Sequence, residues 1–231
     1  MVSQFVISSI LFFGILLVSS FRAITAQNCQ KEPLLYPTPC CNDTAPATFN
    51  VTFITTVHGS SNFTLHIIKS ASPWGVDRFY NLAKYHYFDN MTVNGNEAGF
   101  FRVVPGFVVQ FGISGNVPVS NAWMNEIIPN DPVILSNVRG TIAYAAVQDN
   151  SGNAVNRTTQ VYINYANNSN LDPIGFTPFG YVLGDGMKVV DAIYSGYGQN
   201  PDQDTIYSEG DKYLHKSFPK LDYIIGTVVE E

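Results

Sequence analysis

Cysteine is scarce in this chain and badly placed to staple a core: three occur, Cys29, Cys40 and Cys41, all upstream of the region that reads as folded. A disulfide-framework domain is therefore excluded, and zinc lacks ligands, because no histidine or fourth cysteine stands near the three at ligand spacing. In an oxidising compartment Cys29 can close a short loop with Cys40 or Cys41, which leaves one thiol spare. The expected state is a monomer, with a disulfide-linked dimer as the alternative. Histidine is almost as sparse: His58, His66, His86 and His215 lie in four separate segments, none beside a G-x-S-x-G nucleophile and none in an H-x-x-x-H pair. No pair of carboxylates stands out as the acid and base of a glycosidase. Charge is thin too, with 13% charged residues and 12 Lys or Arg against 18 Asp or Glu, so no basic surface invites nucleic acid. Repeats, low-complexity tracts and linker-like stretches are missing after about residue 48, which leaves one domain large enough to bury a full core.

What is present begins with Phe5 to Val18, an uncharged aliphatic and aromatic run followed by small residues. It reads as a signal peptide over residues 1–26 with cleavage after Ala26, an uncleaved anchor being the alternative. Its removal takes away Arg22 and leaves 11 basic against 18 acidic residues, a net charge of −7. Residues 27–47 form a cysteine-containing extension and 48–231 the folded domain. Six N-x-[ST] sequons stand at Asn42, Asn50, Asn62, Asn90, Asn156 and Asn167, where 21 Asn and 32 Ser or Thr give about three by chance. The excess points to a secreted or lumenal glycoprotein.

From Phe49 the sequence alternates at period two through Val51, Phe53, Thr55 and Val57, then again through Phe63, Leu65 and Ile67, which predicts a hairpin. Ser72-Pro73 offers an N-cap and a proline for a helix over Pro73 to Tyr85. Six further strands read at Phe100 to Val104, Phe107 to Phe111, Thr141 to Val147, Thr159 to Asn164, Phe179 to Leu183 and Leu221 to Val229. A second helix fits Gly186 to Tyr194, with Asp185 as its cap. Eight strands and two helices predict a mainly β protein, a closed antiparallel barrel capped by two helices. The connections Ile113 to Gly140 and Gln148 to Thr158 are long enough to carry ligand contacts.

Four ordered blocks carry a more specific signal: Phe100-Phe101-Arg102-Val103-Val104-Pro105-Gly106-Phe107-Val108-Val109-Gln110-Phe111-Gly112, then Thr159 to Asn164, then Leu171-Asp172, then Gly175 to Gly180. Together they resemble the successive blocks of the cyclophilin-type peptidyl-prolyl isomerases, over roughly Thr48 to Val229. The ending Ser217 to Ile224 resembles one subgroup of that family. Taken singly, Phe107, Val108 and Leu171 read as barrel core and Arg102 as a solvated strand residue; it is their joint occurrence that carries the likeness. The resemblance implies an eight-stranded barrel that binds extended X–Pro polypeptides and speeds their cis–trans exchange, with no metal and no cofactor. It implies catalytic roles for Arg102, Phe107 and Gln110, and substrate contacts at Phe101, Val108, Ala145, Ala146, Gln160, Tyr162, Leu171 and Phe176. Departures stand at Phe101, Val108 and Tyr162, where relatives carry histidine, methionine and phenylalanine, and at Phe176, near a pocket histidine. Asn170 stands where cyclosporin-sensitive members have tryptophan, which implies weak cyclosporin binding. The departures at Phe101 and Phe176, with the long Gln148–Thr158 loop, leave room for a binding or chaperone module with little turnover.

Overall fold

The computed structural model describes residues 29, 32–89 and 97–231. The residues assigned above to a signal peptide, and the Asn90 sequon, lie outside the described residues. Phe49, Val51, Phe53 and Thr55 of β1 (Thr48–Thr55) point inward at every second position, as do Phe63, Leu65 and Ile67 of β2 (Ser61–Ile68). The two pair antiparallel, with Phe53 opposite Phe63, so the hairpin lies where the alternation predicts it. The remaining strands are β3 (Ala98–Gly99), β4 (Arg102–Val104), β5 (Val108–Phe111), β6 (Thr141–Tyr144), β7 (Val147–Gln148), β8 (Ala154–Val155), β9 (Val161–Asn164), β10 (Pro178–Val182) and β11 (Tyr223–Glu230).

Nine of these strands form one antiparallel sheet in the order β3-β11-β1-β2-β10-β6-β9-β5-β4, while β7 and β8 form a separate small hairpin. The fold is mainly β and strongly curled, as expected. Two details differ: the large sheet has nine strands, and its ends meet through the chain rather than through a ladder. The end strands β3 and β4 are joined by Phe100 and Phe101 alone, a span from Gly99 to Arg102 of about 11 Å at most. The outer edge of β4 is covered, since Val103 N–H donates to the Gly198 carbonyl (2.8 Å). Inside the curl, Phe111 receives the edges of Phe53, Phe88 and Phe100 with centroids 5.3–5.9 Å apart, an arrangement favoured by the ring quadrupole.

Six α-helices have both ends among the described residues, not two: α1 (Pro37–Cys40), α2 (Pro73–Lys84), α3 (Val117–Trp123), α4 (Met187–Ala192), α5 (Gln203–Glu209) and α6 (Asp211–Ser217). The seven-residue helices are too short to show a period of 3.6, and two of the three carry a side-chain cap. Asn116 accepts from Val119 N–H (3.2 Å) and Asp202 from Thr205 N–H (2.8 Å). Asp185 does not cap α4; it pairs with Lys188 at the surface (2.7 Å). The Gln148–Thr158 connection folds back as the β7–β8 hairpin around Asp149, whose carboxylate accepts from the Ser151 and Asn153 N–H groups. Cys29 pairs with Cys40, and Cys41 is buried with its thiol directed at the Pro33 carbonyl. Burial pushes that thiol up to about 12, so the spare cysteine is in no position to link two chains.

Ser72 is buried before α2 but does not cap it; that work falls to Asp131, from the long Ile113–Gly140 connection. The Asp131 carboxylate accepts from Trp74 N–H (3.2 Å), Gly75 N–H (3.0 Å), the Ser72 hydroxyl (2.6 Å) and Arg157 Nη2 (2.9 Å). Arg157, itself buried, lies over the Tyr144 ring and donates to the Pro129 carbonyl. Burial pushes the Asp131 carboxyl upward, but these donors outweigh it and hold it below its ordinary 3.8. Arg157→Met is expected to lower stability by about 3–5 kcal/mol, read by urea denaturation, because it strands a buried carboxylate. Since the folded carboxyl titrates below the unfolded one, its stabilisation is complete above about pH 4 and is lost as pH falls through the folded value. Asp131→Asn should accordingly flatten part of the acid-side decline in stability.

Candidate active site

The register of four strands sets out the site. Arg102 of β4 lies opposite Gln110 of β5, Gln110 opposite Tyr162 of β9, and Tyr162 opposite Ala143 of β6. Side chains alternate across a strand, so this row points away from the barrel interior while Val103, Val109, Ile163 and Ile142 point into it. On the outer face Val108, Ala143 and Tyr162 pack with Phe107, Ala145, Leu171 and Phe176 as a separate apolar cluster. The cluster borders a cavity of about 230 Å³ lined also by Arg102, Gln110 and Ala146.

Phe107 reaches this position through a tight turn: its N–H donates to the Val104 carbonyl (3.0 Å), with Pro105 and Gly106 between. Gly106 has φ +76°, a conformation costly for any residue with a Cβ. The turn returns the Phe107 ring under the Arg102 guanidinium, 5.6 Å from its centre. Arg102 is oriented by neutral partners, Nη1 donating to Gln110 Oε1 (3.2 Å) and Nε to Gln199 Oε1 (3.3 Å). Gln110 Nε2 donates in turn to Gln160 Oε1 (2.7 Å), and Gln160 Nε2 to the Tyr207 hydroxyl of α5 (3.3 Å). A guanidinium offers only donors, which fixes the direction of both amides down the chain. Burial pulls the Arg102 guanidinium below its ordinary 12.5, yet arginine remains a cation at neutral pH. No carboxylate pairs with it among the described residues.

The opposite wall hangs from Asn137, which is fully buried. Its side-chain oxygen accepts from the Tyr162 hydroxyl (2.8 Å) and Asn164 Nδ2 (3.2 Å), while its Nδ2 donates to Asp172 Oδ1 (2.8 Å) and the Phe176 carbonyl (2.9 Å). Asn168 ties the same arm to the Phe107 carbonyl (2.9 Å). Leu171 and Phe176 are thereby held against Tyr162, whose ring meets Phe176 edge-on at 6.1 Å. Burial pushes the Tyr162 phenol far above its ordinary value, so it stays a donor. Burial pushes the Asp172 carboxyl up, but bonds from Ser136 and Asn137 outweigh it and keep it below 3.8, an acceptor.

Arg102, Phe107, Val108, Gln110, Ala145, Ala146, Tyr162, Leu171 and Phe176 thus meet at one cavity. Two expected contacts do not. Phe101 faces away from the cavity, buried with Ile113, Ile206, Leu214, Leu221 and Tyr223, in the two-residue link that precedes β4. Gln160 stands behind Gln110 as the next link in the amide chain. Gln199, Tyr207 and Asn137 escaped the sequence reading; each comes from a loop or short helix without periodic signal.

The family profile described as cyclophilin type peptidyl-prolyl cis-trans isomerase/CLD matches residues 51–210. Peptidyl-prolyl cis-trans isomerase A of Dickeya dadantii is 31% identical over 146 residues, covering 58% of this chain and 66% of its own length. A peptidyl-prolyl cis-trans isomerase of Acinetobacter baylyi is 29% identical over 136 residues, covering 57% and 66%. The chain thus spans 66% of the length of these curated relatives. Among solved structures, a Cryptosporidium parvum cyclophilin type peptidyl-prolyl cis-trans isomerase superposes with a TM-score of 0.54 at 16% identity, covering 80% of this chain and 98% of that one. The same protein in the presence of the dipeptide Ala-Pro gives 0.51 at 17% identity, covering 79% and 99%. At such identities the structural likeness speaks for the fold.

Asn137→Ala is expected to cost about 1–3 kcal/mol through the polar groups it leaves unpaired. It should also speed amide hydrogen exchange across residues 168–176, with the β1–β2 hairpin unchanged as an internal control.

Proposed function

Because this chain belongs to the cyclophilin-type peptidyl-prolyl cis-trans isomerase family, we propose that its cavity seats the proline ring of an extended X–Pro segment and that Arg102 speeds rotation about the preceding amide. The observation that carries this reading is the Arg102 cation, held over Phe107 at the edge of an apolar cavity by neutral amides and without a carboxylate partner among the described residues. Rotation about an X–Pro bond faces a barrier of about 18–20 kcal/mol from amide resonance. No bond breaks and no proton must move. A catalyst need only favour the twisted state, in which the prolyl nitrogen becomes pyramidal and able to accept a hydrogen bond. Phe107, Val108, Tyr162, Leu171 and Phe176 hold the ring, Gln110 fixes the guanidinium, and Ala145 and Ala146 flank an extended backbone.

The working environment we propose is the secretory pathway, with folding chains as clients. The Cys29–Cys40 bridge supports an oxidising compartment. Of the sequons, Asn42, Asn62, Asn156 and Asn167 are exposed, and Asn50 stands half-buried on the outer side of β1, bonded to His66 (2.9 Å). Asn170 is exposed on the arm beside Leu171 and offers no ring to an inhibitor, in line with weak cyclosporin binding.

Exchange of an Ala-Pro peptide followed by NMR tests the activity. Arg102→Ala is expected to lower kcat/KM by about 100-fold or more while peptide-induced shifts persist; equal acceleration by wild type and variant would overturn the assigned mechanism. Shift changes without acceleration by wild type would instead establish a binding module. The rate should be flat from about pH 5.5 to 9, since no group lining the cavity titrates there. A histidine-like inflection near 6.5 would count against the site as assigned.

A further inference from the structure

A second cavity, of about 280 Å³, lies between the N-terminal segment, α2 and the end of α3, and shares no lining residue with the isomerase cleft. Its wall includes Asn42 and Thr44, the first and third residues of one sequon, together with Trp74, Trp123, Arg78 and Asn81. The sequon is clamped against α2. Asn81 binds both backbone groups of Asp43, its Oδ1 accepting from Asp43 N–H (2.9 Å) and its Nδ2 donating to the Asp43 carbonyl (2.8 Å). Asp77 accepts from Ala45 N–H (2.7 Å), Lys84 pairs with the Asp43 carboxylate (2.8 Å), and the Cys29–Cys40 bridge holds the residues just before. Asn42 itself is exposed. Arg78 rests on Trp123, 5.1 Å from the ring, and donates to the Glu126 and Thr158 carbonyls. Trp74 is 57% exposed among the described residues and offers a large apolar ring at the rim.

We propose that this cavity is the seat of the first N-acetylglucosamine of a glycan on Asn42, packed against Trp74. The pyranose ring has an apolar C–H face suited to an indole, and hydroxyl and acetamido groups suited to the polar wall. The sugar is this chain's own, so a contact of only millimolar strength is populated: the tether supplies an effective concentration of that order. Because the segment is already fixed, seating the sugar orders little else. The glycan then acts as a piece of the fold, joining the N-terminal segment to α2. The proposal rests on the secretory routing above, and the experiment separates the two.

The full chain is secreted from a glycosylating eukaryotic host, sequon occupancy is read by peptide mass spectrometry, and glycans are trimmed to one sugar per site. Thermal unfolding is then compared for wild type, Asn42→Gln, Thr44→Ala, Trp74→Ala and the Asn42→Gln/Trp74→Ala pair. Each single change is expected to lower Tm by about 2–4 °C, and the pair by no more than either alone, with kcat/KM unchanged throughout. Additive losses, or no loss from Asn42→Gln and Thr44→Ala at an occupied Asn42, would overturn the seat. A bare Asn42 beside occupied sequons overturns it while sparing the routing; a chain bare at every sequon overturns both.

Discussion

The period of two along β4, β5, β9 and β6 is the constraint on which the rest of this structure hangs. Each strand must satisfy two apolar demands, one for the barrel interior and one for the outer cluster that meets proline. Val109 and Ile163 face the interior, while their neighbours Val108, Gln110 and Tyr162 form the cleft. A slip of one residue in any pairing would exchange the two sets and bury Arg102 among phenylalanines. The register is held from both sides: the Val104–Phe107 turn joins β4 to β5, and Asn137 bonds Tyr162 and Asn164 at the end of β9.

Much of this was legible in the residues. The β1–β2 hairpin and α2 follow from alternation and from proline at a helix start, and seven of the nine residues lining the cavity fall within the four sequence blocks. The place of Phe101 beside Arg102 in the motif does not reveal that its ring packs with Leu214 and Leu221 instead of lining the cavity. The ninth strand escaped because two residues, Ala98 and Gly99, carry no period at all. Gln199 joins Arg102 across 97 positions and Tyr207 joins Gln160 across 47. Such polar contacts, made by single side chains from irregular segments, leave no periodic trace. The cap on α2 escaped for a similar reason, since Asp131 arrives from a loop 56 residues beyond Gly75.

Two arginines illustrate how partners decide what a cation is for. Arg157 is buried against a carboxylate, an arrangement that spends its charge on holding α2, β6 and the long loop together. Arg102 is held instead by the carbonyl oxygens of two glutamines, which orient the fork without neutralising it. The amide chain running back to Tyr207 polarises in one direction, each link strengthening the next. The field at the cleft is therefore that of a whole positive charge beside an aromatic floor.

The placement of β11 between β3 and β1 bears on how such a molecule is made. Asn50 on β1 finds its partner in Glu230, 180 positions later (230 − 50). During synthesis β1 and β2 can pair at once, but the far edge of β1 has no strand to receive it until β11 has been translated. For that interval the growing chain carries an open β edge with Phe49, Val51 and Phe53 beside it, a template for misassociation with other nascent chains. Closing the sheet is thus a long-range event, and a protein proposed to attend the folding of others passes through its own most vulnerable state while β1 still waits for β11.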